Sequence, residues 1–319
     1  MGAALTLSER SRGRTAPNPN VGCVIVADGR IVGRGWTQPG GRPHAEAMAL
    51  AEAGAKARGA TAYVTLEPCA HRSPRGPACS DLLIESGVSR IVSALEDPDA
   101  RTAGQGFARL EAAGIVVARG IRSGEARRSM AGFLTRQSHG RQHVTLKFAT
   151  ALDGCIAMAD GSSRWITGPQ ARAHAHLERS RHEAILVGRG TYEADAPRLD
   201  VRVPGLEDRA PRRVLLSSTA CAMAGWSVIA APHAIATLPD VDHILVEGGA
   251  AVASAFLAAD LVDRLLLYRA PILIGGGKPA LGDIGLADLS DAHDRWAKID
   301  ARQLGSDRLE VYERERNEG

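Results

Sequence analysis

The sequence PHAEAMALAEAGAKARG, residues 43–59, begins with a His-x-Glu motif and continues as an Ala-rich segment with one apolar face. This pattern predicts a helix from Ala45 to Arg58 that stops at Gly59. The sequence YVTLEPC, residues 63–69, predicts a short buried strand over 63–66 that is followed by a Pro-Cys pair. A further cysteine, Cys79, precedes a predicted helix over 81–85. Strands and helices that alternate in this way predict an α/β domain.

The polar residues of these motifs form a set that is suited to zinc. His44, Cys69 and Cys79 are residue types that bind Zn²⁺, and three protein ligands leave one position open for water, as a catalytic site requires. A carboxylate nearby must then carry the proton of the activated water. Glu46, two residues from His44, is predicted as that catalytic acid and base. One His, two Cys and a Glu that is not a ligand are typical of zinc nucleobase deaminases.

The segment between the two cysteines offers an alternative ligand, His71. Cys79 is favoured as the third ligand, because a His two residues from Cys69 is awkward to wrap around one tetrahedral ion. Five cysteines in a chain without a secretion signal argue against a disulfide framework. The remaining cysteines lie in or beside apolar segments and are predicted to be buried thiols: Cys23, Cys155 and Cys221.

The alternation of strands and helices restarts in the second half of the chain, and 319 residues predict about two domains. In the first half, Asp28 and Gly29 join two β-branched runs, which predicts a hairpin. A polar, positively charged stretch over 123–142 precedes the second series, so we predict an N-terminal domain over 1–141 and a C-terminal domain over 142–319. The second series is predicted to contain strands at 143–148, 184–187, 213–216, 243–246 and 265–268 and helices at 169–181 and 250–259.

Composition limits the partners. The formal net charge is +3 without a long basic run, and aromatic residues make up 4% of the chain, which disfavours nucleic acid as a partner. No apolar window approaches the length of a membrane span, and the N-terminal apolar stretch ends at Ser8, too early for a signal peptide. We expect a cytoplasmic enzyme with a small phosphorylated substrate. The oligomeric state, including a homo-oligomer, is left open.

The order of the motifs resembles a known family. The first half carries NPNVG (18–22), HAE (44–46), TLEPC (65–69) and DP (97–98), and the second carries LDG (152–154), RWIT (164–167), DVR (200–202) and VEGG (246–249). Together these motifs resemble the bifunctional deaminase/reductase family of riboflavin biosynthesis, the RibD family. The resemblance implies a cytidine-deaminase-like three-layer α/β domain followed by a dihydrofolate-reductase-like α/β domain.

The implied activity has two steps. The first is zinc-dependent hydrolytic deamination of 2,5-diamino-6-ribosylamino-4(3H)-pyrimidinone 5′-phosphate, and the second is NADPH-dependent reduction of the ribosyl group to ribityl. The family pattern places the pyrimidine nucleotide at Asn18 and Asp97 and its phosphate at Arg75. In the reductase it implies NADPH contacts at Ala149, Trp165, Thr191, Asp195 and Ser218 and substrate contacts at Ser163, Arg179, Leu199, Arg202 and Glu247.

Gly249 is predicted to bind the cofactor from the sequence around it and not from the resemblance. It follows an apolar strand and precedes a helix, as in pyrophosphate sites, although an ordinary strand-to-helix turn has the same pattern. A Rossmann domain is disfavoured because the chain has no G-x-G-x-x-G.

Two other functions share part of this pattern. One is a zinc nucleobase or tRNA adenosine deaminase with an accessory C-terminal domain, which the low aromatic content and the reductase-like motifs oppose. The other is a zinc-stabilised module that binds pyrimidine nucleotides without turnover. Glu46 opposes that reading, since a purely structural zinc site has no use for a proton carrier.

Overall fold

The computed structural model describes residues 1–71, 74–219 and 222–316. The chain divides into two compact units, Met1–Gly140 (unit 1) and Arg141–Gly319 (unit 2). Cys23 and Cys155 are buried free thiols, as predicted, whereas Cys221 lies outside the described residues. Among the residues described, no helix combines the length and apolarity that a membrane span needs.

Unit 1 is built on one five-stranded sheet. Its elements are α1 (Gly2–Ser8), β1 (Gly22–Ala27), β2 (Arg30–Trp36), α2 (Ala45–Ala53), β3 (Thr61–Val64), α3 (Cys79–Ser86), β4 (Arg90–Ser93), α4 (Gln105–Ala112), β5 (Val116–Ala118), α5 (Ser123–Ser129) and α6 (Ala131–His139). The strand order is β2-β1-β3-β4-β5. The predicted β1–β2 hairpin is confirmed. The β1–β3 pair is also antiparallel, whereas β3, β4 and β5 run parallel to one another.

Helix α2 lies directly on the backbone of β2. A Cβ added at Gly35 would lie 2.0 Å from the carbonyl oxygen of Ala45, and one at Gly33 would lie 2.1 Å from that of Ala49. Only glycine permits this approach, which fixes the start of α2 against the sheet. The helix ends at Ala53, earlier than the predicted Arg58, because Gly54 adopts a φ of +54° and a short 3-10 turn follows.

Unit 2 contains an eight-stranded sheet. Its elements are β6 (His143–Thr150), β7 (Cys155–Ala157), α7 (Pro169–Arg179), β8 (Ala184–Gly188), α8 (Arg189–Asp195), β9 (Arg212–Leu216), β10 (Ser227–Ile229), β11 (His243–Val246), α9 (Ala250–Ala258), β12 (Val262–Arg269), β13 (Lys278–Pro279), β14 (Trp296–Leu304) and β15 (Asp307–Arg314). The order of the large sheet is β10-β9-β8-β11-β6-β12-β15-β14, and β7 pairs with β13 separately.

The first six strands of the large sheet are parallel; β15 then pairs antiparallel with β12, and β14 pairs antiparallel with β15. The carboxyl ends of parallel strands meet at one edge, where loops can hold a ligand. The strands β14 and β15 were not predicted from the sequence. They form a hairpin at the sheet edge, in which β14 is half-buried or exposed along its length.

Candidate active sites

The predicted zinc ligands meet in unit 1 at the starts of two helices. His44 is the residue before α2, Cys79 is the first residue of α3, and Cys69 lies in the irregular segment after β3. The Nδ1 atom of His44 lies 3.3 Å from Sγ of Cys79 and 3.7 Å from Sγ of Cys69. The three ligand atoms all lie within 4.8 Å of one another. One nitrogen and two sulfur donors in such a cluster fit a zinc ion.

The alternative ligand, His71, does not join this cluster. Its Nδ1 atom lies 3.3 Å from the hydroxyl of Thr102. In the described ranges, the group of side chains able to hold a metal is His44, Cys69 and Cys79. The geometry therefore favours Cys79 over His71 as the third ligand.

The two thiols interact before any metal binds. The Cys79 thiol lowers the pKa of Cys69 to about 4 by donating a hydrogen bond to its sulfur, and the backbone N–H of Cys79 donates to the same sulfur at 3.3 Å. The same hydrogen bond, together with burial, raises the pKa of Cys79. One thiolate is thus already favoured, and a bound cation would favour the second.

Glu46 lies in the first turn of α2 and is 3% exposed. Burial raises the pKa of its carboxyl to about 7, the His44 charge opposes this rise, and the Cys69 charge adds to it. A pKa near neutrality suits a group that must first accept a proton and then return it.

The three residues predicted to bind the pyrimidine nucleotide lie on loops of unit 1. Asn18 Nδ2 is 3.1 Å from Nε2 of His44, so Asn18 borders the metal cluster. Asp97 is buried, and burial raises its pKa to about 6. Arg75 donates a hydrogen bond of 2.6 Å to the carbonyl oxygen of Gly40. This loop lies beside Asn18, because Asn18 Nδ2 also donates to the carbonyl of Gly41 at 3.2 Å.

Glu67, which was not predicted as a site residue, holds the Asp97 loop. The buried carboxylate of Glu67 accepts hydrogen bonds from the backbone N–H groups of Asp97 (3.2 Å), Gly104 (3.0 Å) and Phe107 (3.1 Å). The available signal was its position in TLEPC, two residues before Cys69. Asp99, next in this loop, is ion-paired with Arg101, which lowers the pKa of Asp99 to about 2.

Unit 2 contains a cavity of about 850 Å³. It opens where β6, β8 and β11 end, with Phe148, Val187 and Glu247 among its lining residues. Five of the six predicted cofactor residues line it, and so do all five predicted reductase substrate residues. These are Ala149, Trp165, Thr191, Asp195 and Gly249, and Ser163, Arg179, Leu199, Arg202 and Glu247. Ser218 is not among the lining residues.

A charged cluster forms the floor of this cavity. Arg179 donates two hydrogen bonds to the Glu247 carboxylate, at 2.7 and 2.9 Å, and Lys147 Nζ lies 3.7 Å from the same carboxylate. Burial alone would raise the pKa of Glu247, but Arg179 and Lys147 outweigh it and lower the pKa to about 2. The Glu247 carboxylate is therefore ionised at neutral pH. Lys147 lies in the predicted strand over 143–148 but was not predicted as a site residue.

The mouth of the cavity carries an exposed aromatic ring. Trp165 is 66% exposed, and the Arg172 guanidinium lies 4.7 Å from its ring centroid. Arg164 forms an exposed ion pair of 3.8 Å with Asp195. An exposed ring held by a cation can stack on a planar ligand.

Comparisons with known proteins match both units. The model of the "Cytidine and deoxycytidylate deaminase zinc-binding region" matches residues 1–95, and that of the "RibD C-terminal domain" matches residues 142–238 and 229–308. Riboflavin biosynthesis protein RibD of Escherichia coli (strain K12) is 40% identical, over 96% of this chain and 96% of that protein. The structure of Acinetobacter baumannii RibD superposes with a TM-score of 0.84 at 34% identity, covering 99% of this chain and 98% of that one.

A second solved structure is also similar to this chain over nearly its full length. The diaminohydroxyphosphoribosylaminopyrimidine deaminase/5-amino-6-(5-phosphoribosylamino)uracil reductase of Thermotoga maritima superposes with a TM-score of 0.86 at 31% identity, covering 98% of this chain and 97% of that one.

Proposed function

This chain belongs to the RibD family of riboflavin-biosynthesis enzymes, and from that membership we propose how its two units share the reaction. The chain is a bifunctional deaminase and reductase with a zinc-binding deaminase domain and an NADPH-dependent reductase domain. Unit 1 hydrolyses an amino group of 2,5-diamino-6-ribosylamino-4(3H)-pyrimidinone 5′-phosphate, and unit 2 reduces the ribosyl group of the product to ribityl. The observation that carries this proposal is the cluster of His44, Cys69 and Cys79 with the buried Glu46 on the same helix as the His44 cap.

In unit 1, the three ligand residues would hold zinc, which supplies the positive charge that activates a water molecule. Glu46 takes the proton of that water and delivers it to the departing amine, so ammonia leaves as a neutral molecule. Asn18, beside His44, and Asp97, anchored through Glu67, bind the pyrimidine. The Arg75 guanidinium binds the 5′-phosphate.

In unit 2, the residues present fit NADPH. Gly249 caps α9 and lies beside Thr191, because a Cβ at Gly249 would be in ordinary contact, 3.7 Å, with the Thr191 hydroxyl. The backbone N–H groups at the start of α9 and the Thr191 hydroxyl would bind the pyrophosphate. Bound NADPH supplies the two electrons of the reduction. Trp165 and Asp195 border the cofactor, and Ser163 and Leu199 border the substrate.

Arg179 and Arg202 of unit 2 have different roles. All three nitrogen positions of Arg179 are engaged, two by Glu247 and the third by the carbonyl of Asp200 at 3.1 Å. Arg179 therefore fixes Glu247, which accepts hydrogen bonds from the ribose hydroxyls. The exposed Arg202 forms an ion pair of 3.0 Å with Asp200, and its guanidinium binds the substrate phosphate.

The alternative function, a tRNA adenosine deaminase, is not favoured, because unit 2 matches the reductase model and the full-length relatives are RibD proteins. A small phosphorylated pyrimidine is thus the proposed partner, with neither nucleic acid nor membrane involved. Phosphorylated nucleotide precursors and NADPH are cytoplasmic metabolites, which supports a cytoplasmic location.

Replacing one ligand should separate the two activities. We expect Cys79→Ser to reduce the zinc content to roughly a tenth or less, because two ligands hold zinc poorly. Ammonia release should fall in parallel, while NADPH oxidation with the deaminated substrate stays at the wild-type rate. The control is Cys155→Ser, a buried thiol of unit 2 outside the metal cluster. Full zinc content and full ammonia release in Cys79→Ser would place the third ligand elsewhere, with His71 the next candidate.

A further inference from the structure

A loop of unit 2 carries two of the proposed substrate residues. This substrate loop, residues 196–202, follows α8, has no regular secondary structure and contains Leu199 and Arg202. Ala196 and the buried Leu199 adopt φ angles of +40° and +52°. Such left-handed backbone costs free energy in residues other than glycine, so it persists only where contacts hold it. The shape of the substrate loop therefore depends on what holds it.

Two side chains of helix α7 hold this loop at one carbonyl oxygen. Nδ1 of His176 lies 3.0 Å from the carbonyl oxygen of Asp200, and Nη1 of Arg179 donates to the same oxygen at 3.1 Å. Because a carbonyl oxygen only accepts hydrogen bonds, Nδ1 of His176 carries a hydrogen and donates it. His176 and Arg179 are three residues apart on one face of α7, and both line the cavity.

The side chain of Asp200 links this contact to Arg202. Its Oδ1 atom lies 3.0 Å from Nε of Arg202, and the two side chains are 28% and 57% exposed. An ion pair this exposed holds an arginine only weakly by itself. The orientation of Arg202 therefore depends on a fixed Asp200 backbone, and His176 supplies one of the hydrogen bonds that fix it.

His176 contributes a hydrogen bond and no charge. Burial lowers the pKa of its imidazole, and the neighbouring Arg179 charge lowers it further, so the ring is neutral at neutral pH. Loss of His176 should therefore act through the substrate loop. Loss of Arg179 would instead also release Glu247, to which it donates two hydrogen bonds.

We propose that His176 is a positioning residue of the reductase, which holds the Asp200 carbonyl so that Arg202 meets the 5′-phosphate of the substrate. His176 thereby sets the preference of unit 2 for a phosphorylated substrate. The inference rests on the proposed contact of Arg202 with that phosphate. His176 was not predicted as a site residue.

Steady-state NADPH oxidation by the full-length protein tests this role with two substrates, the deaminated nucleotide and the same compound without its 5′-phosphate. We expect His176→Leu to raise the KM for the nucleotide about 3- to 10-fold, the effect of one hydrogen bond. The kcat, the KM for the dephosphorylated compound and the affinity for NADPH should stay at wild-type values. His176→Asn should restore the KM, because its amide can donate from the place of Nδ1.

A double variant shows whether His176 acts through Arg202. In an Arg202→Gln protein, His176→Leu should raise the KM for the nucleotide no further, because the group that it positions is already absent. An independent structural role would give additive effects, which would contradict the proposal.

The matched control is His174→Leu, which removes an imidazole from the same helix. Nδ1 of His174 lies 2.8 Å from the hydroxyl of Tyr268, and His174 is not among the residues that line the cavity. We expect this variant to keep the wild-type KM for both compounds.

Three further results would overturn the role of His176. These are a wild-type KM for the nucleotide in His176→Leu, an equal rise for both compounds, and a KM in His176→Asn as high as in His176→Leu. If His176→Leu does not fold, His176→Gln replaces it, since its amide lies at the place of Nε2, and equal KM values of the Gln and Asn variants contradict the proposal. Equal KM values of the wild type for the two compounds would instead overturn the proposed phosphate contact of Arg202.

Discussion

Glu46→Gln is expected to abolish deamination while the protein keeps its zinc. Gln has nearly the same shape as Glu, so the buried site and the three ligands remain, but the amide cannot accept the proton of the attacking water. Removal of a general acid and base costs about 10²- to 10⁴-fold in rate. Ammonia release and zinc content, measured on the same preparation, check this result.

The control for Glu46 lies on the same helix. Glu52 of α2 is exposed and forms an ion pair of 2.8 Å with Arg34, so Glu52→Gln removes a carboxylate from α2 without touching the metal cluster. We expect Glu52→Gln to release ammonia at the wild-type rate. Both variants should oxidise NADPH normally with the deaminated substrate. If Glu46→Gln holds full zinc and still releases ammonia like the wild type, another group carries the proton.

Glu247→Gln is expected to remove the reductase activity. The substitution leaves the Arg179 and Lys147 charges in the cavity without their shared anion, and breaking such a largely buried pair costs about 3 to 5 kcal/mol. Arg179 keeps its hydrogen bond to the Asp200 carbonyl but loses the anion that orients it, and the carboxylate proposed to contact the ribose is lost. NADPH oxidation with the deaminated substrate should fall by about 10²-fold or more, which corresponds to roughly 3 kcal/mol.

A second ion pair of unit 2 distinguishes loss of the site from loss of stability. Glu310 of β15 is ion-paired with Arg269 of β12 and does not line the cavity. Glu310→Gln should lower the melting temperature without lowering NADPH oxidation at a permissive temperature. Normal NADPH oxidation by folded Glu247→Gln would show that Glu247 has no part in the reduction.

The metal site could be predicted from sequence because its parts are local. His44 and Glu46 belong to one short motif. Each ligand also lies at the end of a predicted helix or strand, and the structure brings these ends together. The reductase site had no comparable motif. Apart from Gly249, its predicted residues were named from the family resemblance, and no local pattern shows that Arg179 pairs with Glu247, which lies 68 residues away.

The C-terminal hairpin was missed for a different reason. Residues 296–314 carry many charges, because β14 is an edge strand and only β15 is substantially buried. A turn signal was nevertheless present: Gly305 and Ser306 join the paired residues Leu304 and Asp307, as expected for a two-residue hairpin loop. The early end of α2 was missed because Gly54 and Gly59 are equally good helix stops in sequence.

The most direct measurement of the central proposal follows both products of one substrate. The full-length protein is given the diamino pyrimidine 5′-phosphate with NADPH, and ammonia and oxidised cofactor are quantified over time. Two sites that act in sequence predict about one ammonia for each NADPH oxidised, with ammonia appearing first. NADPH oxidation without ammonia release, or ammonia release with no NADPH oxidation in zinc-loaded protein, would contradict a single chain that performs both steps.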